Sequence, residues 1–300
     1  MTFLRRFTSL LLLICVPLVH AQSKIDTLNL TFTTIDVPGA IITNAFGINT
    51  AGDMVGNYET ASNGPSHGFL YSGGNFTLFD YPGASSTIAF GINDSGMISG
   101  TAYMNQNTTA FGFLYEGTTF TTIRAPGKGA TLPRGINNAG VVVGGDGVTL
   151  SGTKGFALIG THFKTVSPPG VYVYVFGDGI NNLNQIVGSD DNGGFLYNKG
   201  KYQTLSVPGS SQTQPWGIND ARVIVGWYEG CSPSCAVHAF VLKQGKYLSF
   251  DYPGATATFA DGINTSGQIV GSYTFDGQTF HGFVTSPVTR PDFECPAHPN

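Results

Sequence analysis

Charge is what this sequence has least of. Only 11% of its 300 residues are Asp, Glu, Lys or Arg, against about a quarter in an ordinary soluble domain. The 14 Lys and Arg do not outnumber the 18 Asp and Glu, so the chain has no basic excess to hold a phosphate backbone, which argues against nucleic-acid binding. Beyond one segment near its start it has no long apolar run, and therefore no candidate transmembrane helix.

Glycine and aromatic residues are abundant instead. The chain contains 42 Gly, and each Gly inside a helix costs about 1 kcal/mol relative to Ala, so a mainly helical fold is excluded. No Gly-X-Y period is present, which excludes collagen. Aromatic residues make up 12% of the chain, which excludes a disordered protein. The composition favours an all-β fold.

The first 21 residues have the pattern of a secretory signal peptide. Arg5 and Arg6 provide the positive region, the run 10–19 is apolar apart from one proline, and Ala21 is a small residue at the predicted cleavage position. This apolar run is too short to span a bilayer, which needs about 20 residues. The sequence therefore predicts a secreted protein, extracellular or periplasmic, with no membrane span.

One unit is repeated six times along the rest of the chain. The tripeptide Gly-Ile-Asn begins at positions 47, 91, 135, 179, 217 and 262, at intervals of 44, 44, 44, 38 and 45 residues. A period of this length is typical of propeller blades. Each unit also contains a Pro-Gly pair, which predicts a type II turn, and four units contain an Asn-x-x-Gly segment, which predicts a type I hairpin turn. The fourth unit has Asn184 in place of that last Gly, and Asn tolerates a left-handed backbone. The fifth unit has Arg222 in place of that last Gly, which predicts a different turn there.

Each unit thus divides into four short strands. The sequence predicts an all-β fold, a six-bladed β-propeller of four-stranded antiparallel blades, as one domain over residues 24–287 with a flexible C-terminal tail at 288–300. The chain begins with a lone strand at 29–36 and ends with three strands of a unit at 256–284. We therefore expect the N-terminal strand to join the last blade and close the ring. An open array, or two halves of three units, is the alternative.

The units resemble the HAF family of extracellular repeats, named after a His-Ala-Phe tripeptide. That tripeptide stands at His238-Ala239-Phe240, with variants at His67-Gly-Phe69 and His281-Gly-Phe283. The resemblance covers nearly all of the chain after residue 21 and implies an exported bacterial protein. It implies no established activity and no catalytic residues.

The residue just before each Gly-Ile-Asn changes from unit to unit. All six positions lie on the predicted inner strand, so we expect them to form a central ring: Phe46, Phe90, Arg134, Asp178, Trp216 and Asp261. Aromatic rings with a few charged groups could bind a sugar or a peptide. The alternative is that these side chains pack between blades, with Arg134 and Asp178 forming an ion pair.

Three cysteines follow the predicted signal peptide. Cys231 and Cys235 flank a turn-forming segment, and in an oxidising compartment we expect a local disulfide between them, with two free thiols as the alternative. Cys295 lies in a Pro-rich tail and is expected to be unpaired or cross-linked.

The sequence predicts no metal site and no cofactor. His67, His238 and His281 occupy equivalent positions in separate units, where neighbouring blades diverge, so a structural role is favoured. The segment 190–193, Asp-Asp-Asn-Gly, resembles part of a calcium loop. It offers three side chains where calcium takes six to eight ligands, so we expect a polar turn.

These patterns favour a secreted binding or scaffold propeller, a monomer that recognises a protein or polysaccharide through one face. The variable connections on the side of the Pro-Gly turns suit recognition, because loops on a rigid frame commonly carry binding. An extracellular carbohydrate-active hydrolase or lyase using Asp178 and Asp261 is one alternative, and a purely structural envelope protein is another. The chain contains none of the common nucleophile, zinc or phosphate-loop motifs, so enzymatic activity is less favoured and stays open.

Overall fold

The computed structural model describes residues 25–104, 109–127, 129–148, 152–170, 173–230 and 236–288. The predicted signal peptide, Cys231, Cys235, Cys295 and the tail after residue 288 lie outside these ranges. All regular structure within them is β-strand. No helix in the described residues is long and apolar enough to cross a membrane.

Sixteen of the strands form four separate four-stranded antiparallel sheets. The first sheet comprises β3 Ile42–Ile48, β4 Met54–Glu59, β5 His67–Ser72 and β6 Asn75–Phe79. The second comprises β7 Ser86–Ile92, β8 Ile98–Met104, β9 Thr109–Glu116 and β10 Thr119–Ile123. The third sheet comprises β11 Ala130–Ile136, β12 Val142–Val148, β13 Gly152–Ile159 and β14 His162–Thr165. The fourth comprises β15 Val175–Ile180, β16 Ile186–Asp190, β17 Gly193–Asn198 and β18 Lys201–Leu205.

The remaining strands form a single nine-stranded sheet. It contains β1 Asp26–Thr27, β2 Phe32–Ile35, β19 Ser210–Ile218, β20 Ile224–Gly230, β21 Ala236–Lys243, β22 Lys246–Phe250, β23 Ala257–Ile263, β24 Ile269–Thr274 and β25 His281–Thr285. The fold is an all-β propeller with four-stranded antiparallel blades.

The prediction of six separate blades is wrong, because four blades stand alone and the other strands are joined. One parallel pair, Val237 opposite Ala257, connects β21 to β23. Strand β1, which the sequence did not predict, runs parallel to β22 at the edge of the same sheet. Strand β2 pairs antiparallel with β25, with Phe32 opposite Thr285, so the N-terminal strand does join the last strands of the chain as expected.

The core lies between neighbouring sheets. Its largest repeated element is the Phe on the third strand of each unit, which is at most 2% exposed in every copy: Phe69, Phe113, Phe156, Phe195, Phe240 and Phe283. Burying one such side chain contributes about 1.5–3 kcal/mol. Val55 of β4, for example, belongs to the same apolar cluster as Phe113 of β9 in the following sheet. The sheets therefore stabilise one another and not only themselves.

Four of the six Pro-Gly pairs have the φ near 80° of the predicted type II turn, whereas Gly127 and Gly170 have φ 131° and 142°. Gly39 of the first Pro-Gly pair has φ 81°, as a type II turn requires. Arg222 also adopts a left-handed conformation, with φ 58°, and its N–H bonds to the carbonyl of Asn219 at 2.9 Å. The expectation that this turn differs is therefore wrong. The Asn219 side chain, which accepts a hydrogen bond from the N–H of Val223 at 3.0 Å, stabilises the turn despite the unfavourable residue.

The Gly-Ile-Asn segments lie against one another around a single axis. A Cβ atom on Gly47 would lie 2.7 Å from the carbonyl oxygen of Phe90 and 3.1 Å from the Cα of Gly91. The last copy returns to the first, since a Cβ on Gly262 would lie 2.6 Å from the carbonyl oxygen of Phe46. Only Gly fits where backbones approach this closely, and the six segments close into a ring.

A belt of buried asparagines ties the ring together. In each Gly-Ile-Asn the Asn Nδ2 donates to the backbone carbonyl of the equivalent Asn in the next unit, at 3.0–3.4 Å. Its Oδ1 accepts the N–H of the residue four positions later in its own hairpin. We call this set the asparagine belt: Asn49, Asn93, Asn137, Asn181, Asn219 and Asn264. The sequence predicted only the turn role of these residues.

Candidate functional site: the axial chamber

The six residues before Gly-Ile-Asn, which we call the axial cluster, converge on the axis. The ring of Phe46 lies 5.0 Å from that of Phe90 and 6.0 Å from that of Trp216, nearly parallel to the latter. Phe46 belongs to the first unit and Trp216 to the fifth, with Asp261 of the sixth unit between them, so these side chains meet across the opening. They do not merely fill the space between sheets.

Arg134 lies among the aromatic rings of the cluster. Its guanidinium carbon is 4.3 Å from the ring centre of Trp216, 4.9 Å from that of Phe176 and 5.1 Å from that of Phe90. Its Nη1 is 3.3 Å from Oδ1 of Asp178. The Arg134–Asp178 ion pair that belongs to the alternative interpretation is therefore present, and it lies inside the axial cluster. Phe176, two residues before Asp178 on β15, is a contact that sequence reasoning missed.

The two carboxyl groups of the cluster are both buried, at 6% exposure each. Burial raises the pKa of Asp178 to about 6, although Arg134 and a hydrogen bond from Ser189 act in the opposite direction. Burial also raises the pKa of Asp261 to about 8, with Arg134 opposing and the charge of Asp178 adding to the increase. The pKa of Asp261 is raised further than that of Asp178, which lies beside the Arg134 guanidinium and accepts a hydrogen bond from Ser189. Carboxyl groups whose pKa values are separated in this way can divide acid and base roles.

Unpartnered polar atoms are concentrated at the same place. In the described part of the chain, four buried side-chain nitrogen or oxygen atoms lack a hydrogen-bond partner. Three of the four belong to the axial cluster: Arg134 Nε, Trp216 Nε1 and Asp261 Oδ2. Buried polar groups are almost always paired in folded proteins, so three unpaired atoms in one site indicate a place for polar ligand groups.

The cluster borders a small cavity, the axial chamber, of about 80 Å³. Phe46, Phe90, Asp178, Trp216 and Asp261 line it, and the isoleucines of Gly-Ile-Asn surround its inner part. A water molecule has a share of about 30 Å³ in the liquid, so the chamber admits two or three waters or one small functional group.

A larger polar groove lies beside the chamber. Its volume is about 320 Å³, and its lining includes Asp190, Asp191, Ser211, Gln214 and Glu229. Gln214 lies two positions before Trp216 on β19, a separation of about 7 Å along a strand, so groove and chamber are neighbours. The predicted polar turn at 190–193 forms one wall of the groove. Its N–H at Asn192 donates to Oδ1 of Asp190 at 2.7 Å.

The three repeated histidines are held apart in separate ion pairs. Each uses its ring Nδ1 to contact one carboxylate oxygen at 2.8 Å: His67 with Asp80, His238 with Asp251, and His281 with Asp36. Each aspartate comes from the end of the strand that precedes a Pro-Gly turn. This arrangement agrees with the structural role expected for the histidines.

Comparisons with known proteins identify the fold and no family. No protein-family model and no curated protein sequence matches the chain. Among solved structures, a predicted gluconolactonase superposes with a TM-score of 0.52 at 12% identity, over 87% of this chain and 94% of that chain. A gluconolactonase from Xanthomonas campestris gives a TM-score of 0.51 at 10% identity, over 89% and 99%. Streptogramin B lyase gives 0.50 at 11% identity, over 86% and 98%. At such low identity these similarities show a propeller fold alone.

Proposed function

We propose that this protein is a secreted binding propeller that recognises a polysaccharide or protein through the face that carries the axial chamber. The observation that carries the proposal is the group of three unpartnered polar atoms among the aromatic rings of the axial cluster. Aromatic walls with a few convergent polar groups are the usual composition of a ligand site.

The two tryptophans of the chain provide a matched test. Trp216 lies in the axial cluster, whereas the ring of Trp227 packs against Phe259, with ring centres 5.6 Å apart. We expect Trp216→Leu to weaken binding of an array-identified ligand at least tenfold and Trp227→Leu to change it less than threefold. Circular dichroism would confirm that both variants are folded. Equal loss in both variants would contradict a role for the axial chamber.

Export and family membership are part of the same proposal. We infer that the chain is an exported HAF-type repeat protein whose domain covers residues 24–287, supported by the signal-like segment 1–21 and the His-Ala-Phe variants. N-terminal sequencing of protein recovered from the medium or periplasm should begin at Gln22. Retention of the whole N-terminal segment in the cytoplasm would refute export.

We also propose that the nine-stranded sheet acts as two blades, which would give the ring six. A single residue pair joins its two halves. Equivalent single parallel bridges, Ile42 to Phe280 and Thr153 to Tyr174, link other neighbouring sheets without merging them. The closed asparagine belt supports the same count. A circular permutant opened in the loop 252–255, between β22 and β23, should fold if the halves are separate blades.

Catalysis on a carbohydrate is the second candidate, favoured by one observation. Asp178 and Asp261 are buried in the same site, and their pKa values are raised to about 6 and about 8. If the site is catalytic, incubation with a polysaccharide should yield new chain ends, and Asp178→Asn and Asp261→Asn should abolish them. Binding without any product would leave the binding function as the sole proposal.

A further inference from the structure

The chemistry of the chamber and the groove together restricts the kind of ligand. We propose that the ligand is an uncharged, hydroxyl-rich glycan whose terminal sugar inserts one edge into the axial chamber while the following sugars lie along the polar groove. This inference rests on the proposed binding function and specifies its ligand class.

The groove disfavours anionic polymers. Three carboxylate side chains, Asp190, Asp191 and Glu229, line it, and none of its lining residues is Lys or Arg. A uronate or sulfated chain would place its negative charges beside these groups without a cation to compensate them. The other lining side chains include Ser206, Gln212 and Gln214, whose polar groups can exchange hydrogen bonds with sugar hydroxyls. The hydroxyls of Ser210, Ser211 and Thr213 are already bonded within the fold.

The chamber disfavours a cationic group. The Arg134 guanidinium already covers the faces of Trp216 and Phe90, where an ammonium ion would otherwise bind. Of the two carboxyl groups at the chamber, Asp178 is paired with Arg134 at 3.3 Å and Asp261 is buried at 6% exposure. An incoming ammonium group would therefore lie beside the Arg134 guanidinium, which repels it, without a solvated carboxylate to compensate its charge.

An uncharged hydroxyl group fits the polar atoms that remain. Trp216, which lines the chamber, has an unpartnered Nε1 that can donate a hydrogen bond to a hydroxyl oxygen. Asp261, buried and without a partner on Oδ2, can donate when protonated or accept from a hydroxyl. The unpartnered atoms are closed off from solvent, so their engagement requires a small shift of these side chains.

The sizes of the two cavities match an end-on mode of binding. The chamber of about 80 Å³ takes a hydroxymethyl group or a pair of hydroxyls, and not a whole pyranose ring. The groove of about 320 Å³ offers space for the sugar behind it. Because Gln214 and Trp216 stand two residues apart on β19, one chain can reach both cavities.

The experiment uses an array of neutral, uronate-containing, sulfated and amino-sugar glycans, together with a peptide array, and then calorimetric titration of the strongest neutral and uronate oligosaccharides. We expect the wild-type protein to prefer neutral glycans. Glu229→Lys should raise the ratio of uronate to neutral affinity at least tenfold. Glu116→Lys, the same charge change on the exposed end of β9, should leave that ratio within twofold and serves as the control for net charge.

Two variants of Asp261 test the chamber. Asp261→Leu should weaken neutral-glycan binding at least tenfold, and Asp261→Asn should weaken it by a smaller factor because an amide can still donate and accept. If Asp261→Leu does not fold, the comparison of Glu229→Lys with Glu116→Lys still tests the ligand class. Preference of the wild-type protein for uronates, sulfated glycans, amino sugars or peptides would overturn this inference and leave the binding function in place. Absence of binding to both arrays would overturn both.

Discussion

Removal of one side chain from the asparagine belt should destabilise the whole ring. Asn137 is 3% exposed, and all of its amide groups are used. Its Oδ1 accepts the N–H groups of Ala139 at 3.1 Å and Val141 at 3.0 Å. Its Nδ2 donates to the carbonyl of Asn181 at 3.1 Å and to Oδ1 of Asn184 at 3.0 Å, both in the next unit. The same side chain therefore holds its own hairpin and the neighbouring sheet.

The size of the effect follows from these four hydrogen bonds. A net contribution of about 0.5–1.5 kcal/mol for each bond gives about 2–6 kcal/mol for Asn137→Ala. The free energy of unfolding of a domain is about 5–15 kcal/mol, so this loss would be a large part of it. Asn137→Asp keeps the Oδ1 acceptor but turns an oxygen toward the Asn181 carbonyl. We expect it to be as destabilising as Asn137→Ala at pH 7 and less so at pH 4, where a protonated carboxyl can donate.

Urea unfolding followed by tryptophan fluorescence measures these differences, with an unchanged m-value as the check that the free energies are comparable. Asn75→Ala is the matched control. Asn75 is exposed, and its Nδ2 makes one bond, to the carbonyl of Gly73 at 3.1 Å. A surface change of this kind should cost within about 0.5 kcal/mol. If Asn137→Ala costs no more than Asn75→Ala, the reasoning that the belt stabilises the ring is wrong.

Three further changes test other parts of the structure. Gly179→Ala places a Cβ 2.3 Å from the carbonyl oxygen of Trp216 and should cost about 1–3 kcal/mol, a fall in Tm of about 2–12 °C. At Gly230 the closest described atom to an added Cβ is 3.5 Å away, so Gly230→Ala should leave Tm unchanged. Equal Tm values for the two variants would contradict the argument that Gly179 is crowded. Phe32→Ala should lower the free energy of unfolding, measured in urea, by about 2–3 kcal/mol, because this half-buried ring packs on phenylalanines of β22 and β25. A smaller loss would contradict the inference that β2 closes the sheet. Burial raises the pKa of Asp261 from 3.8 to about 8, so the folded state binds this proton more tightly and stability should fall as pH rises from about 4 through 8. Asp261→Asn should flatten that slope, and an unchanged slope would refute the assigned burial effect.

Much of the fold could be predicted from the sequence because each local signal occurs six times. The Pro-Gly and Asn-x-x-Gly turns set the strand boundaries. The failures come from single contacts. The merging of two units into one sheet depends on one bridge at Val237, and the left-handed Arg222 depends on the hydrogen bonds of Asn219. No local pattern marks either one.

For the candidate site, comparison between units singled out six positions before Gly-Ile-Asn, and the predicted inner strand suggested that they form a central ring, with packing between blades as the alternative. The structure brings these side chains together at the axis. Their protonation could not be predicted, because the pKa of Asp261 depends on how much solvent the surrounding strands remove. The polar groove was missed because its walls come from five strands, which no single stretch of the sequence brings together.

The sequence by itself determined the repeated unit, most of its turns and the inner strand, because these depend on neighbours close along the chain. Only the tertiary structure decided how the units meet. It joined β21 to β23 and placed Arg134 against Trp216. It also closed the asparagine belt, whose hydrogen bonds join residues separated by 38 to 215 positions in the sequence. Such contacts arise because the curvature of the ring brings side chains from separate units to one axis. The few charged groups at the axis lie largely out of solvent, where Arg134 pairs with Asp178 and burial raises the pKa of Asp261.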